Sequence, residues 1–110
     1  MQLDAEWTEL MRLYDLDHAD PRNRACHSVG IPLIVGGLAV GLLGTPIRAS
    51  VALPVAAGMF TLGWGFQFVG HVFEGKKPSF VDDKRNLLVG VLWCAKKFGL
   101  PIDLQEEVMP

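Results

Sequence analysis

From Ala25 to Val72 the chain carries a single formal charge, Arg48. A helix on the surface of a water-soluble domain shows one apolar and one polar face, and this stretch has no polar face. Its side chains need an apolar solvent, either lipid or the buried seam of a dimer of soluble bundles. Gly44-Thr45-Pro46 interrupts the stretch beside Arg48, and glycine followed closely by proline marks a turn. Two helices joined there, Pro21–Leu43 and Ala49–Phe73, make an antiparallel hairpin. At 1.5 Å per residue they extend roughly 34 and 38 Å, enough to cross a hydrocarbon core of about 30 Å.

Local signals fill in the rest. Asp20-Pro21 is a helix start, a carboxylate cap followed by proline at the first helical position. Pro32 cannot donate to the carbonyl of Ser28, which predicts a kink near Gly30. Pro54 falls in the second turn of the next helix. Gly36, Gly37 and Gly41 read as close helix packing, not as phosphate loops, because no strand precedes them. Upstream, Leu3–Leu16 spaces Leu3, Trp7, Leu10, Met11 and Tyr14 by threes and fours, an amphipathic helix that Asp17–Asp20 breaks. Downstream, Gly75–Ser79 is a polar turn, Phe80–Phe98 a partly apolar helix, and the remaining tail is acidic. The expectation is all-α: a single domain over residues 1–110, a small integral membrane helical bundle of about four helices around a kinked transmembrane hairpin. Residues 1–20 supply the amphipathic helix and turn, 21–73 the hairpin, and 80–98 the fourth helix.

The net charge of −2 offers no basic field and argues against nucleic acid as a partner. The acidic, amphipathic N-terminus lacks a basic and then apolar leader, so no cleavable signal peptide is expected. Cys26 and Cys94 read as two reduced thiols. Arg22, Arg24, Lys76, Lys77, Lys84 and Arg85 flank one end of the hairpin, and Arg48 stands alone at the other. That asymmetry places the first end on the cytoplasmic side.

The same end collects every histidine. His18 and His27 precede the first apolar run and His71 closes the second, so a hairpin brings them together. Trp64, Gln67, His71 and Glu74 follow at steps of three and four, one stripe on one helix. Polar groups at membrane depth are costly and usually face the bundle interior or a pathway. One buried histidine is more often a satisfied core residue; this stripe, opposite Asn23 and His27 with His18 nearby, has the layout of a metal site. Imidazole suits Fe, Zn, Cu and Ni, and no thiolate lies at a spacing for structural zinc. Three histidines, or two with Glu74, leave open coordination positions, and spacing does not name the metal. Gln67, Asn23 and Glu74 are placed to orient the imidazoles. Tyr14 reads as an interfacial anchor, and Trp64 as either an anchor or a pocket wall. Two other functions fit the same residues: a metal- or haem-binding assembly partner, and a zinc hydrolase with Glu74 as general base.

Two motifs go further. Tyr14-x3-His18-x4-Asn23-x3-His27-x2-Gly30-x-Pro32 is followed by Gly63-Trp64-x2-Gln67-Phe68-x-Gly70-His71-x2-Phe73-Glu74-x3-Pro78. Together they resemble the 2-hydroxy fatty acid α-dioxygenase family, formerly a domain of unknown function, which includes a yeast endoplasmic-reticulum enzyme of phytosphingosine breakdown. The resemblance spans about Tyr14 to Asn86. It implies an Fe(II)-dependent oxidoreductase that uses O2 to cleave C1 from C2 of a 2-hydroxy long-chain fatty acid, leaving an acid one carbon shorter. The family's essential histidines carry over onto His18, His27 and His71 as metal ligands. Asn23, Gln67 and Glu74 match its other polar positions. Lacking the longer tails of eukaryotic relatives, the chain is expected to be a compact bacterial form in the inner membrane, with membrane lipid around it and a homo-oligomer open to it. A 2-hydroxy acid can chelate iron through its carboxylate and hydroxyl oxygens, with its tail in the bilayer. Lys76, Lys77 and Arg24 stand near that anionic head as solvated loop charges.

Overall fold

In a computed structural model the described residues are 1–104, and they are all-helical apart from one isolated bridge between Gln2 and Asp103. The three α-helices are α1 (Ala5–Asp17), α2 (Pro21–Glu74) and α3 (Asn86–Lys97), with a 3-10 turn at Ser79–Val81. The Glu106 and Glu107 part of the acidic tail lies outside the described residues.

α1 begins two residues later than the spacing predicts, because Asp4 caps it by accepting from the Trp7 amide at 2.9 Å. Leu3 is pulled instead into the Gln2–Asp103 bridge, its amide donating to the Asp103 carbonyl at 2.8 Å. At the start of α2, Asp20 accepts from the Arg22 amide at 2.8 Å, with Pro21 at the first helical position.

The predicted second and third helices form one element. Arg48 (φ −155°, ψ 84°) is the one residue within α2 whose backbone leaves the helical region, so the turn expected to occupy Gly44–Arg48 is compressed into it. The neighbourhood of Gly30 keeps helical dihedrals despite Pro32. The arms before and after Arg48 lie side by side in opposite directions. A Cβ on Gly63 would sit 2.7 Å from the Gly30 carbonyl oxygen, one on Gly37 3.0 Å from the Ala56 carbonyl oxygen, and one on Gly70 would collide with Asn23 Oδ1. Gly30 and Gly37 recur after seven residues, as do Ala56, Gly63 and Gly70. Two helical turns of spacing put each set on one face, where small residues let two backbones touch.

The fourth predicted helix starts six residues late. Asp83 accepts from the Arg85 amide at 3.0 Å, a local turn that competes with helix. Asn86 Nδ2 donates to the Ser79 carbonyl at 3.1 Å, and α3 begins only there. α3 packs on α1 through Leu10, Met11, Tyr14, Val89, Trp93 and Cys94, a core that Ile102 completes. Both cysteines are free thiols. This small core closes over the open end of α2. Elsewhere α2 is outward-facing: its most apolar window is 22% buried, and Ile47 is 85% exposed. By length and composition α2 is apolar enough to cross a membrane.

Because the arms meet backbone to backbone, the glycines are not equivalent. Gly63→Ala should destabilise by roughly 1–3 kcal/mol, since the atoms in the way belong to the Gly30 backbone and to Ile34. Gly58→Ala and Gly65→Ala, whose Cβ atoms would meet nothing within 4 Å, should instead stabilise by up to about 1 kcal/mol through helix propensity. Unfolding midpoints of the three variants in one detergent test this, and equal responses would contradict the close approach.

Candidate metal centre

The end of α1 and the two arms of α2 deliver the three histidines. His18 is the C-cap of α1, His27 lies in the second turn of α2, and His71 lies in its last turn. Gly75, in the left-handed region at φ 74°, ends α2 by donating its amide to the His71 and Val72 carbonyls at 3.0 and 3.3 Å. All three imidazoles are buried, and each offers a nitrogen within 4.8 Å of the others.

The protons on two of these rings follow from their partners. His18 Nδ1 is 2.6 Å from the Tyr14 carbonyl, and His27 Nδ1 is 3.1 Å from the Asn23 carbonyl. A carbonyl oxygen only accepts, so each Nδ1 carries a hydrogen. In the neutral rings both Nε2 atoms are then bare lone pairs, and they face each other at 3.1 Å. Two acceptors at that distance repel unless a cation lies against them. A proton is a poor choice in a buried site, and burial holds the His18 imidazole below its ordinary pKa, only partly offset by the Tyr14 carbonyl and by Asp17 and Glu74. His71 adds a buried Nδ1 with no hydrogen-bond partner. Neutral imidazoles with Nδ1–H on a backbone carbonyl and Nε2 turned inward are how histidines hold a metal. The donor set fits a nitrogen-ligated ion such as iron.

The other sequence-predicted residues take distinct positions. Glu74 Oε1 accepts from the Asp20 amide at 2.8 Å and from Asn23 Nδ2 at 3.1 Å, so this carboxylate braces the turn that separates His18 from His27. With that oxygen held by two donors, it is poorly placed as a general base. Asn23 is fully buried between Glu74 and Gly70, and its main chain carries the carbonyl that holds His27. Gln67 is buried with an unpartnered Oε1 one turn from His71. Lys76, Lys77 and Arg24 are each paired with a carboxylate, on Asp17, Asp82 and Asp15 respectively.

Below the histidines the arms and α3 enclose a cavity of about 380 Å³, within the usual range for ligand sites. His27, His71, Gln67 and Tyr14 line its polar end. Ile31, Ile34, Val35, Leu38, Phe60, Trp64 and Phe68 line the rest from the two arms, with Phe80, Leu88 and Val91 opposite.

Residues 5–99 match the family described as Mpo1-like, 2-hydroxy-palmitic acid dioxygenase Mpo1-like. The chain belongs to this family. Over 43 residues it is 44% identical to the 2-hydroxy-palmitic acid dioxygenase MPO1 of Saccharomyces cerevisiae, a match covering 38% of this chain and 25% of the yeast protein. The chain thus aligns with about a quarter of that relative's length. No solved structure matches the chain.

Three further residues surround the histidines, and two of them, Asp15 and Trp93, escape a reading by spacing. Tyr14 is no interfacial anchor: it is buried and stacks on His18 with ring centroids 4.0 Å apart. Trp93, from α3, lies 5.9 Å from the His18 ring and donates its indole N–H to Asp15 Oδ1 at 3.0 Å. Asp15 also accepts from Arg24 at 2.8 Å, and Arg24 donates on to the His18 carbonyl at 3.1 Å. Although burial raises the Asp15 pKa, the Trp93 and Arg24 hydrogen bonds outweigh it and leave the pKa lowered. Tyr14 was in sight as part of the amphipathic α1 stripe; Asp15 and Trp93 had no signal, because only the α1–α3 contact joins them. Trp64 proves to be a pocket wall, edge-on to Phe80 at 5.5 Å.

If the lone-pair cluster holds iron, alanine at His18, His27 or His71 should each abolish stoichiometric metal in protein that remains folded. Glu74→Gln keeps an acceptor oxygen for Asp20 and Asn23, and should lower affinity by about 10–100-fold at most. Metal analysis of protein purified in mild detergent reads both effects. A full equivalent of iron in all three alanine variants would contradict the assignment.

Proposed function

We propose that the chain is an Fe(II)-dependent dioxygenase of fatty acid α-oxidation: it uses O2 to cleave C1 from C2 of a 2-hydroxy long-chain fatty acid, releasing an acid one carbon shorter. The observation that carries this reading is the pair of facing Nε2 lone pairs at the polar end of an apolar cavity. Family membership supplies the reaction class, and the yeast relative is named for 2-hydroxy-palmitic acid. Iron bound by His18, His27 and His71 supplies the redox chemistry that lets triplet O2 react with a closed-shell acid. The chain's own residues do the rest. Tyr14 and Asn23 hold His18 and His27 in the ligating tautomer through their carbonyls. Glu74 positions Asn23, and Gly70 leaves room for its amide. The unpartnered Gln67 Oε1 accepts a hydrogen bond from the 2-hydroxyl, which a non-hydroxylated acid cannot give. The apolar wall from Ile31 to Leu38 takes up the alkyl tail and keeps bulk water from the head.

Lipid is the solvent this reading assigns to the outside of α2. Leu42, Leu43 and Ile47 are mostly exposed, as are Leu53 and Leu62, and exposed apolar side chains in such number suit a membrane or protein contact. A substrate that partitions into the bilayer then enters the cavity with its head at the interface. The excess of basic residues at the histidine end argues for an orientation with that end and the Gly75–Arg85 loop facing the cytoplasm. A Lys77→Cys variant should therefore be labelled by impermeant thiol reagent only after the membrane is opened. Labelling from outside intact cells would reverse the orientation.

Oxygen uptake by the iron-loaded protein should be seen with 2-hydroxypalmitate, with the shortened acid detected by mass spectrometry. Palmitate lacks the hydroxyl donor, and discrimination should exceed the roughly 10–200-fold that one methylene provides in an apolar pocket. Equal turnover of both acids would overturn the role of the hydroxyl. Turnover of neither, with iron bound, would leave a metal-binding protein without this activity.

A further inference from the structure

The cavity below the histidines does not run the length of the arms. It ends at Leu38 and Phe60, and beyond them lies a second apolar hollow of about 370 Å³ between the same two arms, nearer the Arg48 turn. Leu38 and Phe60 are the two residues that line both spaces, so their side chains form the partition. Leu38 follows His27 by eleven residues, and Phe60 precedes His71 by eleven. Eleven residues is about three turns, or roughly 17 Å, so both side chains return to the face of the histidine on their own arm at the same depth. Above the partition the walls are bulky, and Phe60 is braced from that side by Trp64, ring centroids 6.3 Å apart. Below it the lining includes the small residues Gly37, Gly41, Ala56 and Ala57 beside Leu42 and Leu53.

We propose that Leu38 and Phe60 are a chain-length stop for the alkyl tail of the substrate. The inference rests on the proposed function, which puts the head at the histidines. His27, His71, Gln67 and Tyr14 gather at that end, and the two arms are apolar from there down to this pair except for the Trp64 indole. A tail anchored by its head at the histidines therefore runs toward Leu38 and Phe60. Each methylene buried above the stop should improve affinity about fourfold, from roughly 0.8 kcal/mol per CH2. Methylenes past it meet side chains and gain nothing. Removing either side chain would join the second hollow to the first and admit a longer tail.

The test is equilibrium displacement of a fluorescent fatty acid from iron-loaded protein in lipid nanodiscs by saturated 2-hydroxy acids of increasing length. The wild-type affinity should climb with length and then level off at a definite carbon number. Phe60→Ala and Leu38→Ala should move that break to longer chains, and Phe60→Trp should move it to shorter ones. Leu38 and Phe60 are 52% and 38% exposed, so their truncation leaves the glycine contacts between the arms in place; melting in the same nanodiscs checks this. Leu42→Ala, which alters only the second hollow, should leave the wild-type break where it is. A break that stays put in all folded variants, with tight binding retained, overturns the stop and leaves the proposed function standing. Failure of the wild-type protein to bind any 2-hydroxy acid overturns both.

Discussion

Two backbone carbonyls, on Tyr14 and Asn23, decide what the centre of this protein can do. By accepting from Nδ1 they force the lone pairs of His18 and His27 onto Nε2, where they face each other at 3.1 Å. Such an arrangement is unfavourable until a cation satisfies both nitrogens. The surrounding structure keeps it from relaxing: Tyr14 is stacked on His18, Trp93 closes the same side, and Glu74 grips the turn between the two rings. A buried polar cluster that is incomplete without a ligand is a costly thing to maintain, and its presence inside so small a core is itself an argument for function.

The second constraint is the approach of the two α2 arms. Gly30, Gly37, Gly63 and Gly70 bring backbones so close that a methyl group has no room at several of these positions. That approach sets the register, and the register sets the site. With Gly70 against Asn23, His71 falls opposite His27 and Gln67 falls just below them. A slip of one residue would rotate Gln67 and His71 by about 100° away from the cavity. The site therefore needs glycines that never touch a ligand. Meanwhile α1 and α3 share a small aromatic and aliphatic core that seals the polar end, whereas the far end, around Ile47, contributes length and apolar surface only.

Much of this is legible in the amino-acid sequence. The Asp20-Pro21 start, the amphipathic face of α1, the gathering of three histidines and the small-residue packing all rest on local chemistry or on periodicity. The departures have local physical reasons too. The Asp83–Arg85 turn outcompetes helix and delays α3 to Asn86. Asp4 supplies a cap that moves the start of α1 to Ala5, and the turn between the arms needs only Arg48 to leave helical geometry. Pro32 does not drive the backbone out of the helical region, since the loss of one amide donor is tolerated where the neighbouring arm packs closely.

What the sequence by itself determined is the inventory and its coarse placement: an all-helical chain, an almost uncharged middle, and imidazoles confined to one end of it. Periodicity is a property of one element, and it assigns residues to faces without saying what lies across from them. Tertiary structure decided everything that depends on two elements meeting. It made Tyr14 a stacking partner for His18 and joined Asp15 to Trp93 across the sequence. It turned Glu74 toward Asn23 and Asp20, and it placed Leu38 opposite Phe60 between two cavities. The tautomers belong to this second class. Each is set by a carbonyl in the residue's own helix, but their meaning arises only when a second imidazole is held 3.1 Å away.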